Sequence, residues 1–309
     1  MKNVLVMMST FNGAKYLKVQ LDSIFNQIGV NIHCIIRDDG SSDLTKNFLL
    51  DYKKSNKNLT LFFEKNIGWA ESFFRLISLS NNKYDYFAFS DQDDFWMKDK
   101  IISSIKKLEV SKNDTPSLYF SNLKVVDKNL LWDGFSYMNY NMTLSKPSSI
   151  VENVSTGCTQ VFNKSLMNLL KLYKPIPVRA HDHWVYLVAL FLGQVIYDSD
   201  SHILYRQHSS NALGASIKPL KVIKNRLKVL LSLYDKKRYN YKQFKLMSLN
   251  LLNGYMSFLS EVDTKLLSKI AYYDKNLTSK LALILDNQIS RKGFIPNLGL
   301  KIRIILGIL

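Results

Sequence analysis

Four apolar runs, NVLVMMS, IHCIIRD, LTLFFE and YDYFAFSD, punctuate residues 1–91, and helix-periodic segments fill the gaps between them. In the first gap Leu17, Leu21, Ile24 and Phe25 share one helical stripe; in the third, Phe73, Phe74 and Ile77 do. This alternation constrains the fold more than any other feature. Strands joined through helices lie parallel, so the expected class is α/β, a mostly parallel sheet flanked by helices. Such sheets bind ligands beyond the carboxyl ends of their strands. STFN (9–12), RDDGSSD (37–43), EKNIGW (64–69) and SDQDD (90–94) each follow a run. All four are therefore expected around one crevice.

The carboxylates of SDQDD set the chemistry to be explained. Asp91, Asp93 and Asp94 repel one another unless something positive sits among them. Residues two apart on an extended segment face the same way, about 7 Å apart, and a turn brings Asp91 and Asp93 closer. Hard oxygen ligands with open positions suit Mg²⁺ or Mn²⁺ carrying substrate phosphates; the bland alternative is a solvated acidic turn. RDDGSSD supplies a second acidic pair able to accept the imide N–H of a pyrimidine, while Ser41, Ser42 and Asp43 read as a turn and helix cap. Phe11 is a candidate to stack on a base.

VLVMMSTFNGAKYLKVQLDSIFNQ, IIRDDGSSDLT, NIGWAESF and FAFSDQDDFW, in that order, resemble the family 2 glycosyltransferases of the GT-A (Rossmann-like) fold. FSDQDDxW resembles their bacterial rhamnosyltransferase-like subgroup, which acts in capsule, O-antigen or wall-polysaccharide synthesis. The resemblance covers residues 1–214. It implies an inverting, metal-dependent transfer from a nucleotide-diphosphate sugar, dTDP-L-rhamnose first and a UDP-hexose second, to a lipid-linked glycan. On the donor side it implies Ser9, Phe11, Asn12 and Asp39 at the base, Asn66 and Gly68 along the ribose and diphosphate, and Asp91 with Asp94 beside them. It implies Asp93, Asp91 and His208 (from YRQHSSNALG) as ligands of Mg²⁺ or Mn²⁺. Asp182, in RAHDHWVYLVALFLG, would be the catalytic base, with His181 standing where an acidic residue is common. Gly157 and Cys158 of STGCTQVF, with His183 and Trp184, would face the acceptor. A helix N-cap is the alternative role for Asp182. A non-catalytic nucleotide-sugar-binding or scaffold protein is the rival of another class.

Charge divides the chain. Its net charge is +17, yet residues 215–309 hold 18 Lys/Arg against 5 Asp/Glu, so a basic helical extension is expected after a catalytic domain at 1–214. Leu220, Ile223, Leu227, Leu230, Leu231 and Tyr234 form an apolar stripe in it. With no RNA- or DNA-binding signature, the expected anionic partner is a membrane surface rather than nucleic acid. The first apolar run stops at Ser9, too short for a secretory leader, and no run of about 18 apolar residues occurs. Two cysteines, Cys34 and Cys158, lie in apolar runs and fit a reduced compartment. The expected location is cytoplasmic, peripheral at the inner face of the membrane.

Overall fold

The computed structural model describes residues 1–110, 114–136, 144–176, 178, 180–208 and 242–309. The first half alternates as the apolar runs require: β1 (Lys2–Thr10), α1 (Ala14–Phe25), β2 (Val30–Asp38), α2 (Thr45–Ser55), β3 (Leu59–Phe63), α3 (Trp69–Leu79) and β4 (Tyr86–Ser90). β1 lies parallel between β2 and β4, and β3 lies parallel outside β2. Next come β5 (Phe95–Trp96), α4 (Lys100–Leu108), β6 (Ser117–Val126), β7 (Trp132–Ser136), α5 (Lys146–Val151), β8 (Val161–Asn163), α6 (Lys164–Leu172), α7 (His181–Leu192) and β9 (Gln194–Arg206). The sheet order among the described residues is β3-β2-β1-β4-β8-β6-β9-β5, with β7 beside β6. β8 runs antiparallel between β4 and β6, whereas β9 is parallel to β6. The ends of β1, β2, β4, β6 and β9 therefore share one edge.

Residues 194–206 form the single strand β9, whose register against β6 shifts near Asn122. Residues 123–136 continue β6 through Val126 and return as β7, an antiparallel hairpin with an irregular register.

Burial follows the two-residue period of β1. Val4, Val6 and Met8 pack under α1 and α4 with Leu17, Leu21, Ile24, Ile101 and Ile105. Leu5 and Met7 face the opposite side with Phe73, Phe87, Phe89, Phe162 and Trp184. Full burial of each such side chain contributes about 1.5–3 kcal/mol, so a one-residue slip of β1 would be strongly unfavourable. Helices α8 (Gln243–Tyr255), α9 (Glu261–Ala271), α10 (Leu277–Ile284) and α11 (Phe294–Leu306) complete the described chain. Met247, Leu251, Tyr255, Ile270, Leu300 and Ile304 join the core on the α7 side. The stripe from Leu220 to Tyr234 lies outside the described residues, as does the boundary at 214/215. No described helix is long and apolar enough to cross a membrane.

Candidate active site

Register places Thr10 opposite Asp38 and Met8 opposite Ser90, so the loops after β1, β2 and β4 leave the sheet together. They surround a cavity of about 360 Å³. Ser9, Phe11, Asp39, Asn66, Gly68, Asp91, Asp93, Gly157, His181 and Asp182 all line it.

The two aspartates after β2 do different work. Asp38 spends both oxygens inside its own turn, accepting from Thr10 Oγ1 at 3.0 Å, Ser41 Oγ at 2.5 Å and the Ser41 amide at 2.9 Å. Asp39 Oδ1 accepts from Arg37 at 2.5 Å and from the Ile67 amide at 2.8 Å, and Oδ2 accepts from the Gly68 amide at 2.9 Å. Gly68 has φ of +86°, a conformation that favours glycine. Arg37 is fully buried and also donates to Glu64, the Lys65 carbonyl and Ser72. Sequence reasoning missed it, because a cation closing a strand reads as exposed. It also missed Gln92, whose amide accepts from the Phe11 N–H at 2.9 Å and donates to the Phe11 carbonyl at 3.0 Å. Phe11 itself is 48% exposed at the cavity rim. Asn12 does not line the cavity. It takes a left-handed turn (φ 48°), donates its N–H to Ser41 Oγ and accepts from the Ser42 amide.

Hydrogen-bonding groups of His208 and Arg206 sit among the crowded carboxylates. His208 Nε2 lies 2.8 Å from Asp93 Oδ2, and its ring stacks on Tyr16 at 4.6 Å. Arg206 donates its backbone N–H to Asp94 Oδ1 at 3.1 Å and its Nε to the Asp93 carbonyl at 2.6 Å. Arg206 precedes His208 by two in an extended segment, a spacing that could have signalled it. These groups do not compensate fully. Burial, then the charges of Asp93 and Asp182, push the Asp91 carboxyl up to about 7. Burial raises Asp93 against the opposing pull of His208. Asp94 is held well above the carboxylate range, chiefly by burial and then by the charges of Asp93 and Asp91.

That deficit of positive charge fits a divalent cation. Ligand atoms of Asp91, Asp94 and Cys158 lie within 4.8 Å of one another. Asp94 and Cys158, however, are buried behind the cavity wall, and burial keeps the thiol protonated. A neutral thiol is a poor ligand for a hard ion. Asp91 and Asp93 face the cavity, with His208 in contact with Asp93, so these three are the better set for Mg²⁺ or Mn²⁺.

Asp182 occupies the first turn of α7. Its Oδ1 accepts from the His183 amide at 2.8 Å and its Oδ2 from the Gly157 amide at 3.2 Å. A Cβ at Gly157 would sit 3.1 Å from His181 Nε2 and 3.2 Å from Asp182 Cβ, so glycine permits this close approach. Burial pushes the Asp182 carboxyl up to about 6, with hydrogen bonds from His183, Asn153 and Gly157 pulling the other way. His183 and Trp184 do not reach the cavity, contrary to the acceptor contacts expected of them. Helical rotation turns His183 toward the Ser149 carbonyl, 2.7 Å away, and Trp184 into the core against Tyr173 and Tyr255.

A profile described as Glycosyl transferase family 2 matches residues 5–170. The chain is 31% identical over 227 residues to the dTDP-rhamnosyl transferase RfbG of Shigella flexneri, spanning 68% of this chain and 74% of that protein. It is 26% identical over 167 residues to the UDP-Glc:alpha-D-GlcNAc-diphosphoundecaprenol beta-1,3-glucosyltransferase WfgD of Escherichia coli, spanning 53% of this chain and 62% of that one. Among solved structures, S. aureus TarS 1-349 in complex with UDP-GlcNAc superposes with a TM-score of 0.60 at 17% identity, over 99% of this chain and 82% of that one.

Proposed function

This chain belongs to glycosyl transferase family 2, and from that premise we propose that it moves L-rhamnose from dTDP-L-rhamnose to a lipid-linked glycan, with inversion and a divalent metal. Its GT-A fold agrees with the solved neighbours. The observation carrying this reading is that Asp39, the pair Asp91 and Asp93, and Asp182 line one cavity. The likeness to a dTDP-rhamnosyl transferase favours the donor; the likeness to a glucosyltransferase keeps a UDP-hexose as the alternative.

Each group then has a task. Asp39 Oδ2 keeps acceptor capacity beyond its bond to Gly68 and takes the imide N–H of the pyrimidine, which Phe11 covers. Ser9 lies near the base, and Asn66 and Gly68 flank the ribose and diphosphate. Asp91, Asp93 and His208 would hold Mg²⁺ or Mn²⁺, which when bound supplies positive charge to the leaving diphosphate. Asp182 takes the proton of the acceptor hydroxyl as its oxygen bonds to the anomeric carbon and the bond to the diphosphate oxygen breaks on the opposite face. Gly157 keeps the acceptor side open; Cys158 and Asp94 support the wall behind Asp91. Residues 1–214 form the catalytic domain and 215–309 its basic extension.

Thermal unfolding with dTDP or UDP, with and without Mn²⁺, tests the reading. The sign with pH is set by Asp91. Its folded value of about 7 lies above the ordinary 3.8, so between those values the folded chain holds a proton that the unfolded chain releases. Stability contributed by that proton falls as pH rises, and a metal ion bound in its place restores it. With dTDP and Mn²⁺ near saturation, Tm is expected to rise by about 5 °C at pH 8 and by less at pH 5.5, where protons compete. A chain that shows no metal-dependent shift with either nucleotide at either pH is a scaffold instead.

The acceptor lipid places the enzyme at the inner face of the membrane. Leu277 and Leu285 of the α10 segment and Phe294, Leu298 and Ile305 of α11 are exposed, interspersed with Lys280, Lys301 and Arg303. Apolar side chains rimmed by cations suit an anionic lipid surface. The full chain is expected to float with anionic vesicles and not with neutral ones, and Phe294→Asp with Leu298→Asp is expected to cut flotation at least about threefold. Equal flotation by that variant rules this face out.

A further inference from the structure

His181 has no task in the chemistry above, yet it lines the cavity and is 3% exposed. Among the described residues neither buried ring nitrogen has a hydrogen-bond partner, which holds for no other described histidine. Aromatic packing fixes the ring: Phe73 stacks on it at 3.9 Å, and Phe89 and Trp69 meet it edge-on at 4.9 and 5.6 Å. Phenylalanine would satisfy that packing without stranding two polar atoms. Keeping an imidazole there points to a polar partner that arrives with a ligand.

The position identifies the partner. Trp69 and Phe73 belong to α3, directly after the Asn66–Gly68 loop that holds Asp39, so this wall continues the donor side of the cavity. Nε2 faces Gly157 and lies beside Asp182, at the end where the transferred sugar reacts. A hexose presents hydroxyls next to C–H surface, matching a fixed imidazole beside the half-buried indole of Trp69 that lines the same cavity. We propose that His181 is a specificity-determining residue of the donor-sugar subsite: its imidazole hydrogen-bonds a ring hydroxyl of the transferred hexose while Trp69 covers the adjacent C–H face. This rests on the donor reading given above. Burial pushes the imidazole down to about 3, so at neutral pH it offers one N–H and one lone pair and supplies no net charge.

Calorimetric binding in Mn²⁺ separates this from packing. Wild type, His181→Phe and His181→Gln are compared for dTDP against dTDP-L-rhamnose and for UDP against UDP-glucose. The readout is the affinity gained by adding the sugar. In His181→Phe that gain is expected to fall about tenfold, with the free nucleotide bound within about twofold of wild type; His181→Gln, which restores a donor and an acceptor, recovers part of it. An unchanged gain in His181→Phe overturns the proposal, as does an equal loss for nucleotide and nucleotide sugar in both variants. If wild type gains affinity only from UDP-glucose, the rhamnose donor falls, and the same comparison on that pair still decides the role of His181.

Discussion

Asp182→Asn is expected to lower transfer by about 10³-fold while nucleotide binding in Mn²⁺ stays at the wild-type level. The substitution keeps the side chain's shape and one carbonyl oxygen able to accept from the His183 or Gly157 amide, now 2.8 and 3.2 Å from the carboxylate. What it removes is the basic site. The pH profile supplies an internal check. Asp182 must be ionised to accept a proton, and burial places its carboxyl near 6. Wild-type turnover should therefore climb as pH rises through about 6, and the residual turnover of Asp182→Asn should lack that limb. A variant that retains most of its turnover would mean that another group accepts the proton.

Asp93→Ala is expected to abolish the Mn²⁺-dependent part of nucleotide binding and to lower transfer by more than about 10²-fold. Its effect on the ligand-free protein distinguishes binding from folding. The Asp93 charge helps to push both Asp91 and Asp94 up, so deleting it relieves repulsion at pH 8. Tm without ligand should hold or rise, although His208 loses its 2.8 Å contact. A large fall in ligand-free Tm with Mn²⁺ binding retained would make Asp93 a structural residue.

The parallel half of the sheet could be read directly, because each strand there is a continuous apolar run and helices separate them. Convergence of Asp39, Asp91 and Ser9 on one edge followed from that topology alone. β8 was obscure for a physical reason: three residues carry no period, and its partners β4 and β6 are remote in sequence. His183 and Trp184 were misplaced because α7 is apolar nearly all round, so its sequence does not say which side meets the cavity. That depended on Ser149 in α5 and Tyr255 in α8. Arg37 needed Glu64 and Ser72, 27 and 35 residues away, before its burial made sense.

The Gln92 amide grips both backbone groups of Phe11 from within the acidic loop. In the proposed donor complex, the aromatic ring over the base and the carboxylates facing the diphosphate would thus be two parts of a single jaw. A nucleobase of the wrong width would tilt that jaw as a whole, so the fit at one end of the donor is felt at the other.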